Sequence, residues 1–487
     1  MDRPDRSDAV TTPEVVVRNP ARRDEVVGRV ALAGPDDVDA AVDRATKAGT
    51  AWGRLTGADR AAHLLAAADA LEADDLDERA RLLTSEHGKV LWESRLDVAG
   101  AATILRYYAA FGERLDAETD HVNGFGLARI RRRPVGVTAV IVPWNYPVYL
   151  ACLMLVPALL AGNPVVVKPS EVVPLTLTGV LDGLAAALPP GVVNVVQGTG
   201  ATVGAQLTGH PGVRAVLFTG STATGRAIIA NSAGTIKRLG LELGGNDPAI
   251  VLDSAVVDDA MVDELLRGVY TSSGQICYNV KRIYVHRSRH AELVEAFTSA
   301  VRDIVVGDGL APGTHIGPLT TPAQLARVRE LVDDARAGAA RVVELGTEGT
   351  GLDRDNGLFA MPTVVTDIAP GARLVQEEQF GPVVPILAVD SDETAVSLAN
   401  ETEYGLAASV WSADPDHADA VARRIDAGSV FVNAHRIGVS DLTMPFGGMK
   451  QSGLGRRHGW EAVEECSELQ TIAHITTTDT LPGPPRA

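Results

Sequence analysis

The sequence predicts an α/β protein of more than one domain, built on parallel sheets. Three observations carry this expectation. The chain has 487 residues, too many for one ordinary hydrophobic core. Apolar residues make up 46% and charged residues 22%, a globular rather than a disordered balance. Between 135 and 252, short β-branched runs alternate with helical segments, which implies parallel strands joined by crossover helices.

In chain order, residues 36–118 read as helices. Asp36 is the expected N-cap of an alanine-rich periodic stretch, and Ala58–Leu71 and Leu76–His87 continue the pattern. Residues 120–133 change character. Gly124 and Gly126 precede the basic alternating run Ala128-Arg129-Ile130-Arg131-Arg132-Arg133, which reads as an exposed strand with solvated arginines rather than an anion site. Strands are expected at Val135–Val142, Val165–Val167, Val193–Val196, Ala215–Phe218 and Arg238–Leu241. Helices fall between them, near 150–161, 175–187, 200–209 and 222–233. A second α/β stretch covers about 248–450, with strands at Ala249–Leu252, Arg282–Val285, Val383–Ala388 and Ser429–Asn433. Ser467–Thr476 alternates as a strand, and Pro482–Pro485 reads as a loose end. The apolar run Val148–Val167 has the length of a membrane span. Pro157, Gly162, Asn163 and Pro164 interrupt it, so a buried helix followed by a buried strand is expected.

Composition narrows the partners. Asp plus Glu outnumber Lys plus Arg by 62 to 44, a net charge of −18, which disfavours nucleic acid and anionic membrane. Lysine is rare: Lys47, Lys89, Lys168, Lys237, Lys281 and Lys450 are the only six, so each invites a question. Cys152, Cys277 and Cys466 cannot build a disulfide framework, and Met1–Glu14 lacks the apolar stretch of a signal peptide. A cytoplasmic protein is the expectation.

Several short segments could carry chemistry. Cys277 follows Ser272-Ser273-Gly274-Gln275-Ile276, a tight loop rather than a core helix. It reads equally as a small buried hydrophobe or as a nucleophile, and no base is visible nearby in sequence. Glu242 ends a strand and is followed by Leu243-Gly244-Gly245. Burial there would raise its pKa toward general-base duty, and pairing with an arginine is the alternative. Asn145, in Pro143-Trp144-Asn145-Tyr146-Pro147, is a turn residue or an amide donor for an oxyanion. Lys168 and Glu171, in Lys168-Pro169-Ser170-Glu171, could grip ribose hydroxyls or form a surface ion pair. The strand-to-helix loop Phe218-Thr219-Gly220-Ser221 lets backbone N–H groups meet a phosphate. Glu378 and Lys450 sit in glycine-rich loops, and no metal-binding spacing is present.

Taken together and in order, Pro-Trp-Asn-Tyr-Pro, Lys-Pro-Ser-Glu, Phe-Thr-Gly-Ser, Glu-Leu-Gly-Gly-Asn, Gly-Gln-x-Cys, Glu-Glu-x-Phe-Gly-Pro and Pro-Phe-Gly-Gly-x-Lys-x-Ser-Gly-x-Gly resemble the aldehyde dehydrogenase superfamily over about residues 15–476. The resemblance implies a Rossmann-type parallel-sheet cofactor domain (1–118 and 135–245), an α/β catalytic domain (246–464) and a small β oligomerisation element (119–134 and 465–487). A homodimer or homotetramer would follow. It also implies that Cys277 attacks an aldehyde, that Asn145 and the Cys277 N–H hold the oxyanion, and that Glu242 activates the water that hydrolyses a thioester. Trp144, Lys168, Ser170, Glu171, Gly220, Ser221, Glu378 and Phe380 would bind the cofactor. Glu171 stands where a 2′-phosphate would sit, which favours NAD over NADP without barring the latter. The presence of Glu242 favours water over coenzyme A as acyl acceptor, and retention of Cys277, Glu242 and Asn145 argues against a non-catalytic binding protein.

Two positions depart from the pattern. Many relatives carry a lysine after Pro-Trp-Asn and a glutamate after Gly-x-Gly-Arg, proposed as a proton relay for the base. Met154 and Arg457 stand there instead, so an altered pH dependence of deacylation is expected. Tyr149, Leu153, Ile276, Tyr278, Leu442 and Phe446 would line the substrate tunnel and suit an apolar or aromatic aldehyde. Arg436, after His435, either pairs with a distal carboxylate of a semialdehyde or faces solvent or a neighbouring subunit.

Overall fold

A computed structural model describes residues 13–123 and 126–476. Most of the polar Met1–Glu14 segment, Gly124 and the Pro482–Pro485 end lie outside the described residues. Two mainly parallel sheets organise the chain. The first has six strands in the spatial order Gly453–Leu454, Arg238–Glu242, Ala215–Thr219, Thr138–Ile141, Val165–Lys168, Val193–Val195. All but the edge strand Gly453–Leu454 run parallel. Strand order reverses at Thr138–Ile141, which pairs with Val165–Lys168 on one side and Ala215–Thr219 on the other. A crevice opens beyond the carboxyl end of such a strand. The chain leaving it there is Pro143-Trp144-Asn145.

The second sheet has seven strands in the order Arg341–Glu344, Thr363–Thr366, Val383–Val389, Val280–His286, Asp247–Val251, Ala407–Trp411, Ser429–Val432. Here only Arg341–Glu344 is antiparallel. Only four residues, 243–246, separate Glu242 from Asp247–Val251, so one short link joins the two sheets. A third, antiparallel sheet pairs Gly126–Pro134 with Thr119–Asn123 and with Ser467–Ile475. It leaves Val122, Leu469 and Ile475 exposed.

Packing explains the apolar run at 148–167. The helix Pro147–Leu160 is buried on nearly every face, against the first sheet and the helices Gly57–Glu72 and Leu91–Ala109. Among the described residues no helix is long and apolar enough to cross a membrane.

Four local expectations need correction. The first helix, Pro35–Trp52, is capped by Gly34, not Asp36: Pro35 takes the first helical position, and Asp37 accepts the Gly34 N–H at 2.8 Å. The strand expected at Val135–Val142 shortens to Thr138–Ile141. Gly136 at φ 122 breaks it, with its N–H bound to the Asn163 side chain at 2.9 Å. The segment 200–209 begins with a π-helical turn, Gly200–Gly204, before the α-helical Ala205–Gly209. The arginines of the 128–133 run are partnered rather than merely solvated. Arg129 binds Asp120 at 2.8 Å, Arg131 binds Gln470 at 3.0 Å, and Arg132 binds Ser467 at 3.1 Å and Glu464.

Candidate active site

The loop bearing Cys277 is held in an unusual backbone path. Ser272 and Ser273 both adopt left-handed conformations, at φ 56 and φ 55. Gly274 follows at φ 77, where a Cβ would lie 2.3 Å from the Gly381 carbonyl oxygen. Non-glycine residues pay for that conformation, so surrounding bonds must enforce it. The Ser272 N–H donates to Glu93 at 2.6 Å, and Ser273 Oγ donates to the Gly317 carbonyl at 2.8 Å. Gln275 Oε1 accepts from the Thr320 N–H at 3.0 Å. The Ser-Ser-Gly sequence thus builds a fixed elbow that turns Cys277 toward the crevice, where it is half-buried.

Asn145 arrives from the other side. Pro147 starts the following helix, and the buried Lys89 ammonium donates to the Asn145 carbonyl while packing over the Tyr146 ring. Lys89 also pairs with buried Asp97 at 3.0 Å, and Asp97 accepts the Tyr149 N–H at 2.7 Å. The Asn145 amide donates one hydrogen to the Gln275 carbonyl at 3.1 Å. An amide nitrogen carries two hydrogens, so one is left for a ligand oxygen.

Glu242 ends the strand Arg238–Glu242 and is 6% exposed. Neither carboxyl oxygen has a hydrogen-bond partner. Burial pushes its pKa up to about 8, against the pull of the Arg457 and Arg456 guanidiniums. Three glycines make room in the site, one each beside Glu242, Glu378 and Cys277. A Cβ at Gly447 would lie 2.9 Å from Glu242 Oε1, one at Gly244 2.6 Å from Glu378 Oε2, and one at Gly245 2.7 Å from the Cys277 carbonyl oxygen. The Cys277 thiol is itself pushed up to about 12 by burial. Lys281 opposes this, while Asp247, Glu242 and Glu378 add to it. Burial thus favours the thiol over the thiolate at Cys277, and a nucleophilic role would require a proton acceptor.

Two chambers meet at Cys277, Asn145 and Thr219. One, of about 180 Å³, has mostly apolar walls that include Tyr149, Leu153, Ile276, Tyr278 and Phe446, with Glu242 beside the thiol. The other, of about 300 Å³, is bounded by Trp144, Gly220, Ser221, Glu378 and Phe380. Trp144 and Phe380 meet edge to face at 5.6 Å, and Glu378 accepts the Gly245 N–H at 3.1 Å. Burial raises the Glu378 carboxyl to about 7. Ser221 caps the helix Thr222–Ser232 by accepting the Thr224 N–H, which turns the helix N-terminus toward this chamber. Aromatic faces, a carboxylate acceptor and a helix N-terminus are the groups a dinucleotide requires, so the donor set fits one.

Lys168, Ser170 and Glu171 do not line this chamber. They follow the neighbouring strand Val165–Lys168. Lys168 donates to Glu171 at 3.0 Å and to the Gly198 carbonyl at 2.7 Å, and Glu171 accepts the Gly200 N–H at 3.2 Å. Burial works against the Glu171 anion, but Lys168 and backbone donors hold its carboxyl below the ordinary range. Ser170 accepts the Val172 N–H.

Arg436 is a correction. It is absent from the apolar chamber's lining and bound to Glu264 at 2.7 and 2.9 Å, so its guanidinium is already engaged and is not free for a distal carboxylate. Leu442 also stands apart from the chamber lining. Sequence reasoning missed Lys89, Asp97 and Lys281 as parts of the site. The rarity of lysine was the signal: Lys281 donates to the Ile276 carbonyl at 2.6 Å and clamps the Cys277 loop from below.

The sequence profile of the aldehyde dehydrogenase family matches residues 7–472. A geranial dehydrogenase from Castellaniella defragrans is 39% identical over 457 residues, covering 93% of this chain and 94% of that protein. The crystal structure of betaine aldehyde dehydrogenase from Staphylococcus aureus in complex with NAD+ superposes with a TM-score of 0.90 at 33% identity, over 97% of this chain and 93% of that one. An aldehyde dehydrogenase from Brucella melitensis biovar abortus gives 0.89 at 35% identity, over 96% and 94%.

Proposed function

The chain belongs to the aldehyde dehydrogenase family, and from that premise we propose that it oxidises apolar aldehydes to carboxylic acids through a thioester on Cys277. It is an NAD(P)-dependent oxidoreductase acting on aldehydes. The observation that carries the finer reading is the meeting of two chambers at Cys277, one apolar with an unpartnered Glu242 and one suited to a dinucleotide.

In this mechanism the Cys277 sulfur bonds to the aldehyde carbon as its proton passes to a solvent water, and the carbonyl π electrons move to oxygen, which becomes an oxyanion. The free Asn145 amide hydrogen and the Cys277 N–H hold that charge. Nicotinamide bound in the Trp144–Phe380 chamber takes up the hydride released from the carbon. The resulting thioester is cleaved by water, whose proton passes to Glu242. The acid leaves and the thiol is restored. Removing one oxyanion donor costs about 10²–10³ in rate. Asn145→Ala is therefore expected to lower kcat by about that factor with KM little changed, read by steady-state kinetics.

Glu171 supports a preference for NAD, because an anion at that position repels a 2′-phosphate. The exposed apolar Val122, Leu469 and Ile475 support the third sheet, within 119–134 and 465–487, as an oligomerisation element of a homodimer or homotetramer. On the same reading 1–118 and 135–245 form the cofactor domain and 246–464 the catalytic domain. The cysteine usage supports a cytoplasmic location.

The apolar walls favour a hydrocarbon-bodied aldehyde over a semialdehyde, since Arg436 is engaged with Glu264. That reading agrees with the geranial dehydrogenase relative. It is tested with NAD and a panel of terpenoid, aromatic, short aliphatic and carboxylate-bearing aldehydes. The expected order in kcat/KM puts terpenoid and aromatic substrates first. A carboxylate-bearing aldehyde at the head of the order would overturn the substrate class. Turnover that required coenzyme A would overturn hydrolysis.

A further inference from the structure

Arg457 is the buried charge that this mechanism leaves unused. It is 4% exposed, and its Nε and Nη2 are buried without a hydrogen-bond partner. Both Glu242 oxygens are in the same condition. Buried charged groups are seldom left so, and two sets of opposite sign beside the same cavity call for one explanation.

Strand geometry puts the two side by side. Gly453–Leu454 pairs with Leu241–Glu242, and Arg457 and Phe446 exchange backbone N–H···O bonds at 2.6 and 2.8 Å, which returns Arg457 over the strand. Its guanidinium covers Gly240, where a Cβ would lie 2.7 Å from Nη2 and 2.8 Å from Nη1. Residues two apart on a strand point to the same face, about 6.7 Å apart. Thus the guanidinium over Gly240 flanks the carboxylate at Glu242 without bonding to it. Two unpartnered groups of opposite charge so placed leave room for a bridging water with polar partners on both sides.

We propose that Arg457 is a positioning residue for the Glu242 base: a counter-ion beside the carboxylate but not bonded to it, which favours the anion over the protonated acid without tying it up in a direct ion pair. The proposal rests on Glu242 being the hydrolytic base. A direct bidentate pair would make a weak base, whereas a separated one leaves the oxygens free to accept a proton. The remaining neighbours are few. From the loop before the last helix, Arg456 also favours the Glu242 anion, and Glu465 on that helix opposes it. Met154 and Thr219 bring no charge from the adjoining helix and strand. Cys277 faces Glu242, while Tyr108, His458 and Cys466 face Arg457. Arg457 is the strongest charge holding the Glu242 carboxyl down against its burial. With Met154 and Arg457 in the two relay positions, the proton on Glu242 passes to solvent water, its loss favoured by this charge, rather than along a side-chain relay.

A chromogenic acyl ester separates the steps without cofactor: the burst reads acylation of Cys277 and the steady rate reads deacylation. In Arg457→Met the rise of deacylation with pH is expected to move up by about one pH unit, with the burst amplitude unchanged. Arg457→Lys should return it most of the way. Gly240→Ala, which displaces the guanidinium without deleting it, should move it in the same direction as Arg457→Met. A limb unmoved in both Arg457→Met and Gly240→Ala overturns the proposal. Deacylation that survives Glu242→Gln removes the base itself, and the proposal falls with it for that separate reason.

Discussion

Cys277→Ala is expected to abolish cofactor reduction with every aldehyde, a loss of about 10⁴-fold or more, while the protein keeps its fold and its affinity for NAD. On the proposed mechanism hydride departs from the aldehyde carbon only after that carbon has bonded to the Cys277 sulfur. No other cysteine can replace it, since Cys152 and Cys466 are buried in the hydrophobic core around the helix Pro147–Leu160. The elbow at Ser272–Gly274 is set by Glu93, Gly317 and Gly381, none of which the substitution touches. Cofactor absorbance measures the activity, and quenching of protein fluorescence on titration with NAD, with Trp144 beside the chamber, measures binding. Residual turnover above about one per cent of wild type would point to a nucleophile other than Cys277.

Glu242→Gln is expected to stop the reaction one step later. The first turnover should proceed, and hydrolysis should fall by about 10²–10⁴, the range for losing a general base. The acyl-enzyme then accumulates and is read as an added mass on the intact protein. The pH dependence follows from the direction of the shift. Burial raises the Glu242 carboxyl to about 8, and a base works only as the anion. Wild-type hydrolysis should therefore climb as pH rises through about 8 and fall away below it. The same limb should vanish in the glutamine variant. A variant that still shows the limb would assign it to another group.

Much of this architecture is legible in the sequence because parallel strands leave a strong trace. Val165–Lys168 and Ala215–Thr219 are buried on both faces, so they read as unbroken β-branched or apolar runs. The strand pair Glu14–Asn19 and Arg22–Ala31 leaves no such trace, because it is half-exposed and rich in Arg, Asp and Glu. The sequence leaves the role of Glu242 open between a base and an arginine partner, but its place is legible because it follows an apolar strand run and precedes two glycines. The left-handed path of Ser272 and Ser273 is not, since serine seldom adopts it and long-range bonds enforce it here. Pairings across distant elements are equally hidden. Nothing local to Arg436 announces Glu264, 172 residues away, or announces that Gly240 lacks a side chain for the sake of Arg457.

The proposed base and the proposed nucleophile belong to different sheets. Glu242 closes a strand of the six-stranded sheet, and Cys277 leads into Val280–His286 of the seven-stranded one. The chain crosses between them at the short link Leu243–Asn246 and returns between Ser429–Val432 and Gly453–Leu454. A slip of about one ångström along that seam would leave both hydrophobic cores whole and still cost about a hundredfold in rate. Turnover is thus a vernier on how the two halves of the molecule mesh, finer than any probe of their individual folds. Solvents, pressure or distant substitutions that loosen the seam will silence the enzyme while each half remains native.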